Sequence, residues 1–320
     1  MNMRQHMVTT LEELMVTDER LVVLLADISY SLFDQDNALF SQRILNLGIL
    51  EQTVVSTAAG LAMEGFIPAV HSFAPFLVER PFEQLKDDFC FQQLGGNFIS
   101  SGASYDYSVE GMTHHGPGDV QILHSLPGLQ IVVPGTASEF DTLFRESYAN
   151  GSPTYYRLSA KSNPVEYPVR FGEMLIVKRG KQATVIAVGP MLAAVLSAVE
   201  DMDVTVLYCT TVVPFDAATL RATSESSNIV IVEPYYEGVL VPEVCKAMKQ
   251  VPIRVEAIGV PHKVLSHYGH PEQHDEELGL TPVGIHHVSC CLFTLEDLRN
   301  LMQIITSLLE SSMDCTFSCV

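Results

Sequence analysis

The segment RILNLGILEQTVVSTAAGLAMEGFIPAVHSFAPFLVERPFEQLKDD, residues 43–88, contains the pattern that decides the fold. It predicts a short strand, a turn at Gly48, a helix of small and apolar residues that begins at Glu51, a second strand and an aromatic-rich loop. Because a buried carboxylate needs a partner, Glu51 is a candidate functional residue. A carboxylate that is satisfied by backbone donors at the start of a helix is the structural alternative.

Apolar runs rich in β-forming residues alternate with helical patterns along the rest of the chain. The predicted strands cover 21–27, 66–72, 97–100, 129–134, 153–159, 183–189, 203–209, 228–234 and 253–259. The predicted helices cover 10–15, 51–65, 81–93, 137–151 and 191–202. This alternation is typical of α/β domains with largely parallel sheets.

The length of the chain favours two domains, because 320 residues with 47% hydrophobic content exceed what one core normally holds. The polar segment 160–182 contains prolines and glycines and few periodic residues, so we expect the domain connection there. We predict a first domain over 1–165, a linker over 166–182 and a second domain over 183–310. The tail 311–320 is expected to be flexible.

Composition excludes several classes of function. The formal net charge is −20, which argues against a surface for nucleic acid or an anionic membrane, since phosphate binding needs clustered Lys and Arg. No signal peptide and no apolar run long enough for a membrane span is found, so we expect a cytoplasmic protein. The seven scattered cysteines include no CxxC pair and predict reduced thiols rather than a zinc site.

Two long segments resemble one known family. The segment 43–88 and the later stretch EGMTHHGPGDVQILHSLPGLQIVVPGTASEF, residues 110–140, are similar to the pyrimidine-binding domain of the transketolase family. Residues 183–286 bear a weaker similarity to the C-terminal domain of that family. The resemblance implies a parallel-sheet pyrimidine-binding domain, a smaller mixed-sheet domain and dependence on thiamine diphosphate.

The resemblance also implies roles in cofactor binding. Glu51 would share a proton with the N1′ atom of the aminopyrimidine ring and so drive its imino tautomer. Phe76 would stack on this ring and Phe73 would line the pocket, although both could be ordinary core residues. Asp27 is the last residue of the predicted strand 21–27, at the end where α/β folds place ligands, and it resembles the acid near the thiazolium ring. Capping of the following turn is the alternative for Asp27.

Further residues match positions that contact the sugar substrate. His114 resembles the histidine that hydrogen-bonds the hydroxyls or carbonyl of the donor, and Glu110 resembles an acid that binds a sugar hydroxyl. Arg4 could match an arginine of the phosphate site. Arg80 and Gln84 match an Arg-x-x-x-Gln pattern that we expect to hold the dimer and pocket together. The histidines less favoured for the substrate role are His71, His115 and His124.

One part of the family pattern is missing. The family holds the diphosphate through Mg²⁺ on a Gly-Asp-Gly motif followed by Asn, and this chain contains no such motif. The sequence therefore predicts no metal ligands of its own and a partner subunit that corresponds to the N-terminal half of a transketolase. An α2β2 assembly is expected, with a cofactor site shared between the two kinds of chain.

The phosphate end of the predicted sugar site also departs from the family. The expected Ser-Arg pair after the strand at 153–159 is Ser159-Ala160, and Lys161 follows. Dianionic phosphates need charge-assisted contacts, so without this arginine we expect weak binding of a distal phosphate. A ketose without that phosphate, or a carrier-bound acyl acceptor, is therefore a plausible substrate.

Three hypotheses follow for the function. The first is the C-terminal subunit of a transketolase-type enzyme that transfers a two-carbon ketol unit from a small ketose. The second is the β subunit of a 2-oxoacid dehydrogenase first component, which would pass an acyl group to lipoyl or a carrier protein. The third is a non-catalytic relative that supports a partner, and the presence of Glu51, Phe76 and His114 argues against it.

Overall fold

The computed structural model describes residues 2–290 except 35, 38 and 39. Two α/β units follow each other along the chain, one built on a seven-stranded sheet and the other on a five-stranded sheet. The predicted fold class is therefore confirmed. The predicted domain end at 310 and the tail 311–320 lie outside the described residues.

The first sheet has the strand order β10-β5-β6-β4-β3-β1-β2, in which β10 is Thr211–Val213, and all of its pairs are parallel except β10 with β5. Its own strands are β1 (Leu21–Leu25), β2 (Ile44–Asn46), β3 (Ile67–Phe73), β4 (Gly96–Ser101), β5 (Gln130–Val132) and β6 (Pro153–Arg157). Because β1, β3, β4 and β6 run parallel, their carboxyl ends meet at one edge. That edge carries the residues considered below.

The helices of the first unit cover both faces of this sheet. They are α1 (Met3–Thr17), α2 (Glu51–Met63), α3 (Ala74–Val78), α4 (Phe82–Gln84), α5 (Asp119–His124) and α6 (Ala137–Ser147). A π-helical segment, Leu85–Phe91, continues α4. Short 3₁₀ turns cover Tyr30–Leu32, Ser108–Glu110 and Met112–His114 in this unit, and Gly189–Met191 in the second.

Strand β1 shows how the two faces are built. Its alternate residues Leu21, Val23 and Leu25 pack into the same core cluster as α1, whereas Val22 and Leu24 pack with α2. All five side chains are buried. Full burial of each such side chain stabilises the fold by roughly 1.5–3 kcal/mol, so this strand anchors both helices that carry predicted site residues.

The second unit is a mixed sheet in the order β12-β11-β8-β9-β7, in which β7 is antiparallel to β9. Its strands are β7 (Leu175–Lys178), β8 (Ala183–Val188), β9 (Val204–Cys209), β11 (Asn228–Tyr236) and β12 (Arg254–Val260). Its helices are α7 (Leu192–Ala198), α8 (Ala217–Thr223), α9 (Val241–Ala247) and α10 (Pro271–Leu278). Strand β7 lies within the range 166–182 that the sequence predicts as a linker.

The two units share a strand and buried polar contacts. Strand β10 (Thr211–Val213) follows β9 in the chain but pairs with β5 of the first sheet. The Tyr208 hydroxyl donates to a Glu139 carboxylate oxygen at 2.6 Å, and the Asn163 amide donates to the Gly189 carbonyl at 3.1 Å. The second unit is therefore fixed against the first through hydrogen bonds as well as apolar packing.

Each of the ten strands expected from sequence is present, including the short strand before Gly48, and the nine with predicted ranges end within two residues of the prediction. Helices α3, α5, α8, α9 and α10 and strands β7 and β10 were not predicted. Most of these elements are short and carry no clear period of their own. Their positions depend on pairing with distant parts of the chain, which local patterns do not report.

Candidate active site

Apart from Arg4, which lies on α1 ahead of β1, the predicted site residues lie at the ends of the parallel strands of the first sheet or in the segments that follow them. Asp27 follows β1, Phe73 is the last residue of β3, and the loop after β4 contains Glu110 and His114. Glu51 begins α2, which follows β2. In open α/β sheets this edge is where ligands bind, because loops and helix starts converge there.

Glu51 is the buried acid of this edge, with only 2% of its surface exposed. Its two carboxylate oxygens accept hydrogen bonds from Nη1 of Arg80 at 3.0 and 2.9 Å. The hydroxyl of Ser72 donates to one of them at 3.3 Å. Burial of the charge is therefore offset by an ion pair that sequence reasoning did not assign.

Arg80 has a second contact. Its guanidinium carbon lies 3.8 Å from the centre of the Phe76 ring, which is the distance of a cation–π contact. From the sequence, Arg80 was expected to hold the dimer and pocket together, and no charge partner was assigned to it. The partner is 29 positions away in sequence, and only the approach of α2 to the turn after α3 brings the two together.

Phe73, Phe76 and His114 form an aromatic group that Arg80 connects to Glu51. The ring centres of Phe73 and Phe76 lie 5.8 Å apart, and that of His114 lies 5.7 and 5.1 Å from them, in edge-to-face arrangements. Tyr107 packs edge-on against Phe73 at 4.8 Å. The structure therefore brings together three predicted site residues, and it adds Tyr107, which sequence reasoning missed.

The loop that carries Tyr107 depends on a glycine. Gly102 has φ +79°, and an added Cβ would lie 2.5 Å from the Tyr107 ring. Any other residue here would strain the backbone and push that ring away from Phe73. The Gly102 position is thus required for the aromatic packing at the end of β3.

His114 is half-buried and closes the 3₁₀ turn Met112–His114. Its Nδ1 lies 3.0 Å from the hydroxyl of Thr113. Glu110 ends the preceding turn and is exposed. Neither Glu110 nor His114 is locked in a salt bridge among the described residues, so both remain candidates for substrate contact.

Asp27 is exposed and has an unusual backbone conformation. Its φ is +71°, which is uncommon for a residue with a side chain and often marks a functional site. The amide of Asn46 donates to the Asp27 carboxylate at 3.3 Å and accepts from the Asp27 backbone at 3.0 Å. Asn46 thus fixes Asp27 at the carboxyl edge of the sheet.

Arg4 is held by a hydrogen-bonded chain. Its Nε donates to the hydroxyl of Ser29 at 2.7 Å, and this hydroxyl lies 2.8 Å from Nε2 of His71. Nδ1 of His71 lies 2.7 Å from the Ile99 carbonyl and must donate to it. His71 is fully buried, and burial lowers its pKa to about 4. A neutral His71 therefore accepts from Ser29, whose oxygen accepts from Arg4.

Lys161 points to the second unit rather than standing alone near the predicted phosphate site. Its Nζ lies 2.7 Å from a carboxylate oxygen of Asp275 on α10. The other Asp275 oxygen accepts from the Tyr105 hydroxyl. Nearby, Asp106 accepts from the backbone of Ala160 at 2.8 Å, and burial raises the pKa of Asp106 to about 6.

The comparisons with known proteins agree with this architecture. Residues 1–164 match the transketolase pyrimidine binding domain, and residues 172–285 match the transketolase C-terminal domain. The chain belongs to the transketolase family. A split-gene transketolase structure, described as an inactive beta4 tetramer, superposes on this chain with a TM-score of 0.80 at 27% identity. The superposition covers 92% of this chain and 98% of the split-gene chain.

Two curated relatives are similar to this transketolase-family chain over most of its length. An uncharacterized 33.6 kDa protein in the fasciation locus of Rhodococcoides fascians is 41% identical over 85% of this chain and 88% of its own. One of the subunits of the apulose-4-phosphate transketolase of Actinobacillus succinogenes is 28% identical over 69% of this chain and 75% of its own. The chain spans about 40% of the length of the 1-deoxy-D-xylulose-5-phosphate synthases of Thermus thermophilus that it also matches.

The residues fit one half of the cofactor that the transketolase family implies. A buried carboxylate on the same edge of the sheet as two phenylalanine rings can hold an aminopyrimidine by a hydrogen bond and by stacking. No group of three or more His, Cys, Asp or Glu in the described part of the chain could hold a metal ion.

Within those same residues, no helix is both long and apolar enough to cross a membrane.

Proposed function

We propose that this chain is the pyrimidine-binding subunit of a transketolase-type enzyme that depends on thiamine diphosphate. The enzyme moves a two-carbon ketol unit from a small ketose to an acceptor. A separate subunit supplies the diphosphate site and the Mg²⁺ ligands, and two copies of each chain form the complete assembly. When bound, the cofactor supplies the nucleophilic carbon for breaking and forming the carbon–carbon bond.

Glu51 has the central role in this proposal. Its carboxyl group would hydrogen-bond the N1′ atom of the aminopyrimidine and share a proton with it, which would favour the imino tautomer. Phe76 and Phe73 give the ring apolar walls and keep water from the carboxyl group. Asp27, two residues after β1, would lie near the thiazolium ring.

His114 and Glu110 carry the substrate role. An imidazole can donate a hydrogen bond to a hydroxyl or carbonyl oxygen of the ketose. The Glu110 carboxylate accepts from a sugar hydroxyl. Arg4 offers a guanidinium to the distal end of the substrate, and Ser29 holds its Nε in place.

One observation carries the proposal. A carboxylate that is 2% exposed shares its edge of the sheet with Phe73, Phe76 and His114, whose rings lie within 6 Å of one another. A protein that served only as a scaffold would gain little from burying Glu51 beside an arginine, since apolar residues in those places are often as stable or more stable. The arrangement is better explained by chemistry.

Exposed apolar side chains near the site are evidence for a partner subunit that covers them. Ile49 and Leu50 precede Glu51, and Val109 and Met112 flank Glu110, and all four side chains are exposed. Clustered apolar side chains at the rim of a site mark a surface that another protein covers. The similarity to a split-gene transketolase, and to one chain of a transketolase that is named by its subunits, is consistent with a partner chain.

The test is reconstitution. The purified chain with thiamine diphosphate and Mg²⁺ should show no ketol transfer, and addition of the chain that carries the Gly-Asp-Gly motif should restore it. Robust ketol transfer by the single chain would refute the shared-site proposal. Turnover of a 2-oxoacid with a lipoyl acceptor, in place of ketol transfer, would favour the 2-oxoacid dehydrogenase alternative.

A further inference from the structure

Arg80 contacts two residues that the proposed function assigns to the aminopyrimidine. Its Nη1 lies 3.0 and 2.9 Å from the two Glu51 oxygens, and its guanidinium carbon lies 3.8 Å from the centre of the Phe76 ring. The Arg80 side chain therefore contacts both the acid that is proposed to hydrogen-bond the pyrimidine and the ring that is proposed to stack on it. This combination separates Arg80 from an ordinary ion-pair partner.

The guanidinium group and a protonated aminopyrimidine share their recognition chemistry. Both are planar and delocalised, both present N–H groups in the plane, and both stack on aromatic faces. A separation of 3.8 Å is van der Waals contact, so no second flat group can enter between Arg80 and Phe76. Binding of a pyrimidine on that face requires the guanidinium to leave.

We propose that the Arg80 guanidinium occupies the place of the cofactor's pyrimidine in the cofactor-free chain. It must leave this place before the cofactor binds. This inference rests on the proposed function, because it takes Glu51 and Phe76 as the pyrimidine site. In the cofactor-free chain, Arg80 pairs the buried Glu51 carboxylate and covers the apolar face of Phe76. The same contacts compete with the cofactor.

The position of Arg80 allows such a movement. It lies in the turn between α3 and α4, outside both helices, and its side chain is 40% exposed whereas that of Glu51 is 2% exposed. Rotation of the arginine side chain toward solvent needs no change in either helix. Ser72 remains as a donor to Glu51 at 3.3 Å after Arg80 leaves.

The experiment measures binding of the pyrimidine half alone. The full chain is titrated with 4-amino-5-hydroxymethyl-2-methylpyrimidine by ligand-observed NMR, which needs neither the diphosphate nor the partner subunit. Loss of a part-exposed ion pair and a cation–π contact removes the competitor. The Arg80→Ala variant should therefore bind this probe about five- to thirtyfold more tightly than the unmodified chain.

Two further variants make the result specific. Arg20→Ala removes an arginine that pairs with Asp18 and lies outside the site, so it controls for the loss of one positive charge and should leave the affinity unchanged. Arg80→Gln keeps an amide donor for Glu51 and serves if Arg80→Ala does not fold, as judged by circular dichroism. It should also bind the probe more tightly than the unmodified chain.

Equal or weaker binding by a folded Arg80 variant would overturn the inference, because Arg80 would then support the pyrimidine site rather than fill it. Absence of saturable binding in all variants would overturn it too, since Arg80 would compete with nothing. Reconstituted ketol transfer tests the proposed function separately. An enzyme that works with its partner, but whose Arg80 variants gain no affinity, loses this inference alone.

Discussion

Arg157 and Asp119 form an ion pair at 2.7 Å in which each side chain is only 1% exposed. The Asp119 carboxylate also accepts from the Tyr155 hydroxyl at 2.7 Å, and Arg157 donates to the Ser104 hydroxyl at 2.7 Å. Ser104 in turn donates to the Pro234 carbonyl of the second unit. This buried network therefore fixes the start of the loop that carries His114.

Replacing Arg157 by Met should be strongly destabilising. The variant leaves the Asp119 carboxylate buried without a cation, and breaking one side of a buried pair costs about 3–5 kcal/mol of unfolding free energy. Urea unfolding measures this loss. The control is Arg145→Met, which removes part-exposed pairs with Asp141 and Glu13, each worth about 0.2–1 kcal/mol. Similar losses in the two variants would contradict the assignment.

Replacing Glu51 by Gln should impair chemistry more than cofactor binding. The amide keeps the shape and a hydrogen bond but cannot supply the proton at N1′, so exchange of the cofactor's C2 proton should slow at least ~10²-fold in the assembled enzyme. Proton exchange followed by NMR measures this rate directly. Glu64→Gln, at the exposed end of the same helix, should exchange normally. Normal exchange in Glu51→Gln would make Glu51 a structural residue.

The His71 imidazole should make the fold sensitive to acid. Burial lowers its pKa to about 4 in the folded chain from an ordinary 6.5, so the unfolded chain binds the proton more readily. This contribution is present above pH 6.5 and is lost as the pH falls toward 4. Between about pH 7 and pH 5 the loss is about 2 kcal/mol of unfolding free energy.

A difference between two proteins isolates this contribution. Burial raises the pKa of Asp106 to about 6 and of Glu233 to about 7, and these acids act in the opposite direction as the pH falls. We therefore compare the unmodified chain with His71→Gln by urea unfolding at about pH 7 and pH 5, where the unmodified chain should lose about 2 kcal/mol more than the variant. Equal losses would show that His71 does not titrate as its burial requires.

The sequence predicted the sheet strands well because each is a short apolar run that is buried by its own composition. LVVLLAD, residues 21–27, gives β1, and NIVIVEP, residues 228–234, gives most of β11. Strand β10 was not predicted because its three residues pair with β5 only when the second unit folds against the first. Local patterns cannot contain that information.

Only part of the arrangement of the candidate site was predicted, again because local patterns do not report contacts between distant residues. Phe73 and Phe76 are three positions apart, and the resemblance placed them together with His114. The partner of Glu51 was not predicted, because an ion pair between residues 51 and 80 depends on how α2 meets the turn after α3. A lone buried acid in the sequence should prompt a search for a cation, and Arg80 is the nearest arginine that follows it.

Substrate choice is the subject of the last prediction. A sugar phosphate brings close to two negative charges, and its recognition needs a local cationic cluster. Lys161 is paired with Asp275 at 2.7 Å, and Ala160 stands where the family pattern has arginine. Arg4 is the remaining candidate, and one of its nitrogens is used by Ser29. Recognition should thus be strong at the reacting end of the ketose and weak at the distal end.

The assembled enzyme should therefore discriminate little between a phosphorylated ketose and the same donor without its phosphate. We expect a ratio of kcat/KM below roughly a hundredfold, which corresponds to about 2.7 kcal/mol of differential transition-state binding. Ala160 is exposed, so Ala160→Arg should fold, and the added guanidinium should raise the preference for the phosphorylated donor. Ala160→Ser is the matched control and should leave the ratio unchanged. A larger preference in the unmodified enzyme would show that a phosphate site is present after all, with cations from the partner subunit or from Arg4.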